Sequence, residues 1–155
     1  GETCEENAIL KAKFYFEKSN GMSTLADDGG LEIDALGGEP GPRSRRWPGH
    51  EASDEELVLY ALDRMKGVLL EKRIARLTAV LAVMPSAREV RTFKGMLEGR
   101  ITEEPCYPIV PGYPFRSLFY EFQTGKVLAE LPLEELPNGH REQAIAKALP
   151  YLLSL

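Results

Sequence analysis

A chain of 155 residues, 43% hydrophobic and 28% charged with a formal net charge of -5, is long enough for one domain with a real core and too ordinary to be disordered. The acidic balance argues against non-specific binding to a nucleic-acid duplex, so any anion site must be local. The longest apolar run, Leu77 to Met84, contains Thr78 and is far too short for a bilayer, and the acidic start GETCEENAILKAKF does not read as an export signal. Two isolated cysteines, Cys4 and Cys106, with no CxxC pair and no zinc-spaced histidine, suit free thiols in a reducing cytoplasm; a single disulfide is the alternative.

In chain order, residues from about Glu5 to Ser19 read as an amphipathic helix, with Ala8, Ile9, Ala12 and Phe16 at helical spacing and Thr3–Glu6 as a capping box. Thr24 to Ala26 and Leu31 to Ala35 read as short strands. Ser53 with Glu56 caps a second helix, about Asp54 to Met65. Ile74 to Met84 is nearly continuous apolar sequence, expected as a strand covered on both faces. After a turn at Pro85–Ser86, Val90 to Ile101 alternates as a half-buried partner strand. Thr102 to Tyr113 is proline-rich loop, Leu118 to Phe122 and Lys126 to Ala129 are short strands, and a last helix runs from about Arg141 to Leu149, stopped by Pro150. The expectation is one mixed α/β domain over residues 1–155, a mixed sheet flanked by helices.

The chemistry concentrates between Thr24 and Gly49. Asp27 and Asp28 are followed at once by Gly29 and Gly30, and then by a loop dense in Gly and Pro that interleaves Arg43, Arg45 and Arg46. A carboxylate at a strand end can hold Mg²⁺ or orient water, while loop arginines and free amides face phosphate oxygens. Asp-Asp-Gly-Gly between apolar runs equally suits a hairpin turn, and arginines equally suit a solvated face.

In order along the chain, GETCEENAILKA, LADDGGLEIDALGGEPGPRSRRWPG, GMLEGRI, and GKVLAELPLEE with GHREQAIAKAL resemble the ordered blocks of the inosine/xanthosine triphosphate pyrophosphatases, the Ham1-like family. The resemblance covers essentially the whole chain. It implies that family's fold, an elongated mixed sheet with flanking helices, and Mg²⁺-dependent hydrolysis of non-standard (deaminated or modified) purine nucleoside triphosphates to monophosphate and pyrophosphate. It implies Asp28 as the catalytic, metal-bound carboxylate with Asp27 as a second metal ligand. Gly29, Tyr113, Phe115, Arg116, His140 and Arg141 fall at substrate-binding positions. A cytoplasmic homodimer, with no nucleic-acid or membrane partner, goes with it.

Departures from the pattern fall on the chemistry. The chain begins after the T-x-N-x-x-K loop, so the first strand, the phosphate loop and an upstream carboxylate are expected to be lacking. Gly29 stands for Ser, Arg116 for the Asp that helps read the base, Leu136 for a phosphate-binding Lys, and Gly139 for the Ser before His140–Arg141. The second expectation is therefore a catalytically impaired nucleotide-binding or interaction domain that keeps the fold.

Overall fold

A computed structural model describes residues 1–132 and 139–155; the position of Leu136 lies outside the described residues. Among the described residues three helices, α1 (Cys4–Lys18), α2 (Asp54–Arg64) and α3 (His140–Leu152), accompany six strands: β1 (Thr24–Ile33), β2 (Pro40–Gly41), β3 (Ile74–Ser86), β4 (Glu89–Ile101), β5 (Phe119–Glu121) and β6 (Lys126–Val127). The strands form one sheet in the order β2-β1-β3-β4-β5-β6. The expected mixed α/β chain is thus observed. The pairs β1–β2, β4–β5 and β5–β6 are antiparallel, with Leu31 opposite Gly41, Gly99 opposite Glu121 and Tyr120 opposite Val127.

Several local expectations shift. The two short strands around the Asp pair are one ten-residue strand, β1, that runs straight through Asp-Asp-Gly-Gly. Neither Gly29 nor Gly30 adopts a positive φ, so these glycines make no turn. At Gly29 the reason is space: an added Cβ would lie 2.8 Å from the Thr78 carbonyl oxygen. The β3–β4 hairpin turns at Ala87–Arg88, two residues beyond the expected place. Residues 128–130 form a 3₁₀ turn rather than the end of a strand. α3 carries Pro150 inside its last turn, where the one amide it lacks ends little of the helical ladder.

The chain divides into two compact units. The first comprises Gly1–Gly30, Thr78–Met96 and the described residues of the C-terminal segment, 139–155. In it α1 buries Cys4, Ala8 and Ala12 against Val80, Ala82 and Met84, while α3 buries Ala144 and Ala148 against Leu81. Successive strand residues point to opposite faces, so the two helices cover opposite faces of this part of the sheet. Both helices bring small side chains to the strands and so approach closely. Gly95 shows how closely, because a Cβ there would collide with the His140 carbonyl oxygen. The apolar stripe of α3 is narrow: Ala144 and Ala148 are buried, while Ile145 and Leu149 are exposed.

The second unit comprises Leu31–Leu77 and the described residues 97–132. Its core is built from large side chains, with Leu31, Ile33, Leu57, Met65, Leu118 and Phe119 fully buried. Each such side chain contributes roughly 1.5–3 kcal/mol of burial. Ser53 caps α2 as expected, accepting from the Glu56 amide. Beyond the end of α2, buried Arg73 donates to the carbonyls of Met65, Val68 and Thr102 at 2.9–3.0 Å, tying the segment after the helix to the end of β4.

Candidate functional site

The first unit brings together much of what the sequence singled out. Thr3 caps α1, its hydroxyl accepting from the Glu6 amide at 3.1 Å, and the Glu6 carboxylate reaches back to the Glu2 amide at 2.7 Å. This start sets the helix so that Asn7 and Lys11, one turn apart, face β1 on the same side. Lys11 Nζ donates to Asp28 Oδ1 at 2.6 Å and to the Asp27 carbonyl at 2.9 Å, and Asn7 Nδ2 donates to Asp28 Oδ2 at 3.3 Å. The Asp28 side chain is only 14% exposed, while that of Lys11 is 49% exposed.

Asp27 points the other way. Its carboxylate accepts from Arg141 Nε at 3.2 Å, at the first turn of α3. Arg141 Nη2 lies 3.5 Å from where a Cβ on Gly29 would sit, and Arg141 Nη1 lies 3.4 Å from His140 Nε2. Thus Asp27, Gly29, His140 and Arg141 gather on the α3 side of β1, and Asp28 with Asn7 and Lys11 on the α1 side. Alternation along β1 turns the two carboxylates expected as metal ligands to opposite sides of the strand, Asp27 to Arg141 and Asp28 to Asn7 and Lys11.

As a metal site, the donor set has one hard carboxylate, Asp28, on the α1 side. Among the described residues no group of three or more His, Cys, Asp or Glu side chains converges as a cage. Mg²⁺ is commonly held by one or two carboxylates together with water and substrate phosphates, and Asp28 fits that role. Its carboxylate offers about four lone-pair sites, and Lys11 and Asn7 take one each.

In the second unit the sequence candidates separate. Tyr113 is exposed, but Phe115 and Arg116 are buried within the 3₁₀ turn Pro114–Ser117. Phe115 meets Trp47 edge-on with ring centroids 6.2 Å apart, in a cluster with Tyr60. Arg116 Nη2 donates to the carbonyls of Leu128 at 2.6 Å and Leu131 at 2.9 Å, while its buried Nε has no hydrogen-bond partner among the described residues. Burial lowers the Arg116 pKa, with Tyr113 acting weakly the other way. The structure therefore gives Arg116 backbone acceptors to hold and Phe115 a place in the core.

Of the loop arginines, Arg45 is tied to Asp54 at 2.7 Å and to the Ala52 carbonyl at 3.1 Å. Asp54 also accepts from the Gly112 amide at 2.7 Å, which latches the proline-rich loop just before Tyr113. Burial raises the Asp54 pKa, but the Gly112 and Arg45 hydrogen bonds outweigh it and leave the pKa below the ordinary carboxylate value. Arg43, Arg45 and Arg46 line an open groove of about 500 Å³ with Pro42 and Glu51. Trp47 packs under its loop, as its apolar bulk suggests, and donates to Glu39 at 2.8 Å.

Asn7 and Lys11 are the site residues to which sequence reading assigned no role. The signal was present: an Asn inside the first helical turn, where its intrinsic propensity is poor, with a Lys one turn later. Only the packing of α1 against β1 shows what they face.

The sequence of the dITP/XTP pyrophosphatase of Symbiobacterium thermophilum is 44% identical, over 100% of this chain and 76% of that protein. The protein of the same name from Thermus thermophilus is 42% identical, over 96% of this chain and 70% of its own length. Among solved structures, the Staphylococcus aureus Ham1 protein superposes with a TM-score of 0.89 at 33% identity, over 99% of this chain and 78% of that one. A HAM1 protein from Coxiella burnetii gives 0.88 at 33% identity, over 100% and 79%. With the Ham1 family model matching residues 1–151 as well, the chain belongs to the Ham1 family.

Proposed function

We propose that this chain hydrolyses non-standard purine nucleoside triphosphates, of the dITP and XTP kind, to the monophosphate and pyrophosphate. The names of its relatives support the substrate class. The observation that carries the reading is the arrangement on β1: a largely buried carboxylate, Asp28, held by Lys11, with Arg141 and His140 gathered beside Asp27 and Gly29.

In this reading water attacks the α-phosphorus, a new P–O bond forms, and the bond to the bridging oxygen of the leaving pyrophosphate breaks. Asp28 orients the water and accepts its proton, a role worth typically 10²–10⁴-fold in rate. The ammonium of Lys11, about half exposed on the Asp28 side of β1, faces the charge that builds on phosphate oxygens, while the half-exposed guanidinium of Arg141, on the Asp27 side, is open to another part of the same polyphosphate. Mg²⁺ bound at Asp28 would supply Lewis-acid neutralisation of those oxygens. A cytoplasmic homodimer acting as one functional domain completes the proposal.

The second reading, a nucleotide-binding domain with impaired catalysis, is favoured by one feature: Gly29 faces the Thr78 carbonyl too closely for the family's Ser without a shift of backbone. One experiment separates the two. Pyrophosphate release is measured with Mg²⁺ from dITP, XTP, ITP and the four common triphosphates, on the parent chain and on Asp28→Asn. Turnover of the deaminated substrates that collapses in the variant is expected. A folded parent chain silent on every triphosphate would overturn the hydrolase reading in favour of the second.

A further inference from the structure

We infer that Gln143 and Lys147 are positioning residues: they stand in for a neighbouring strand on the open edge of β4, and so set where α3 presents Arg141 to Asp27. The inference deepens the proposed function and rests on it, because the location of Arg141 matters to catalysis only if the chain handles a polyphosphate.

Along an extended strand, alternate residues turn their amide and carbonyl to the same side. In β4 the even-numbered residues face β5, since the Phe122 amide donates to the Glu98 carbonyl, and Ile101 faces the other way, donating to the Arg73 carbonyl. The register of β5 on β4 covers only Gly99 to Ile101. The even-numbered backbone groups before Glu98 therefore face an edge that β5 does not cover. Unpaired strand groups of this kind need partners.

α3 supplies them. Gln143 Oε1 accepts from the Met96 amide at 3.1 Å, and Lys147 Nζ donates to the Lys94 carbonyl at 2.7 Å. The spacing matches: four residues along the helix rise about 6 Å, and two residues along a strand about 6.6 Å. One donor and one acceptor of the edge are met by one acceptor and one donor of the helix, so the pair defines a single axial register. Gly95, between the two bonded strand residues, has the helix backbone where its Cβ would be. With Gly95 fixing the depth and the two side chains fixing the slide, the first turn of α3 has no freedom left. Arg141, two residues before Gln143, is thereby held 3.2 Å from Asp27.

The test uses the full chain with Gln143→Met, which keeps the shape without the acceptor, and Gln143→Glu, which restores an acceptor. Lys147→Met and Lys147→Arg form a second pair should one helix variant fold poorly. Two readouts are taken: kcat and KM for dITP, and NMR of the Met96 amide and the Arg141 Nε–H. Gln143→Met is expected to speed Met96 exchange about tenfold, the loss of one hydrogen bond, and to move the Arg141 Nε–H signal. It should also lower kcat/KM about tenfold, within the hundredfold that an ångström of misplacement costs. Gln143→Glu should recover both. An Arg141 signal and kcat/KM unchanged in Gln143→Met, or a Gln143→Glu as impaired as Gln143→Met, would overturn the inference. A parent chain that releases no pyrophosphate would defeat the proposed function instead, and the Arg141 signal would still decide the positioning role.

Discussion

In the first unit the cations that matter stand at the surface and pair with carboxylates: Lys11 with Asp28, Arg141 with Asp27. In the second, Arg73 and Arg116 are buried and donate to backbone carbonyls. The difference follows from what each core can offer. Small residues on α1 and α3 seat those helices close to the strands, so that polar side chains at the helix margins reach the carboxylates of β1, whereas the large-residue core encloses a guanidinium only if carbonyls replace its water. A half-exposed ion pair is worth about 0–1 kcal/mol and is easily exchanged for a phosphate. A guanidinium buried against carbonyls is not free to take up a phosphate, so the charges of Arg73 and Arg116 serve the fold.

The largest effect that would sharpen this contrast is on turnover. Asp28→Asn should lower kcat/KM about 1000-fold, the middle of the range for a lost general base, with the urea midpoint within experimental scatter of the parent. A loss below tenfold would remove Asp28 from the chemistry. Next come the buried arginines. Arg73→Met should cost about 3 kcal/mol in urea unfolding, because three carbonyls, one buried and two part-buried, lose a charged donor. Arg116→Met should cost about 2 kcal/mol on the same grounds and leave the ratio of dITP to dATP turnover unchanged. A change in that ratio would restore Arg116 to the base pocket and break the contrast.

Asp54 supplies a pH test. Its folded pKa lies below the ordinary carboxylate value, so its contribution is present above the unfolded pKa and is lost as pH falls through the folded one. The parent urea midpoint should fall from pH 5 toward pH 3, and Asp54→Asn should flatten that part of the curve. The variant should cost about 1 kcal/mol at neutral pH, the worth of a hydrogen bond. An unchanged slope would mean the latch to Gly112 and Arg45 adds nothing. Smallest is Gly139→Ser, which places a capping hydroxyl at the start of α3, where no side chain caps now. A gain of a few tenths of a kcal/mol in the urea midpoint is expected, and a loss would mean that the flexible Glu142 carboxylate facing Gly139 cannot move aside.

Where neighbours in sequence sufficed, reading was good. Caps at Thr3 and Ser53, the helices that follow them, and the alternation of Val90 to Ile101 all follow from local spacing. It failed where a residue's role depends on a distant partner. Asp-Asp-Gly-Gly has the composition of a turn, yet the Thr78 carbonyl on β3 explains Gly29 within an unbroken strand. Arg116 carries the same charge in any context, and only the carbonyls of Leu128 and Leu131 turn it inward.

By itself the sequence determined the helices, the alternating strands, the family blocks and the list of groups able to do chemistry, because propensity, periodicity and residue type are local properties. The tertiary structure decided which of those groups meet. It put Asp27 and Asp28 on opposite faces, joined Asn7 and Lys11 to Asp28, and used Gly95, Gln143 and Lys147 to seat Arg141. Contacts spanning 114 residues, such as Arg141 with Asp27, are set by how helices pack on a pleated sheet. No window of sequence contains both ends of that packing.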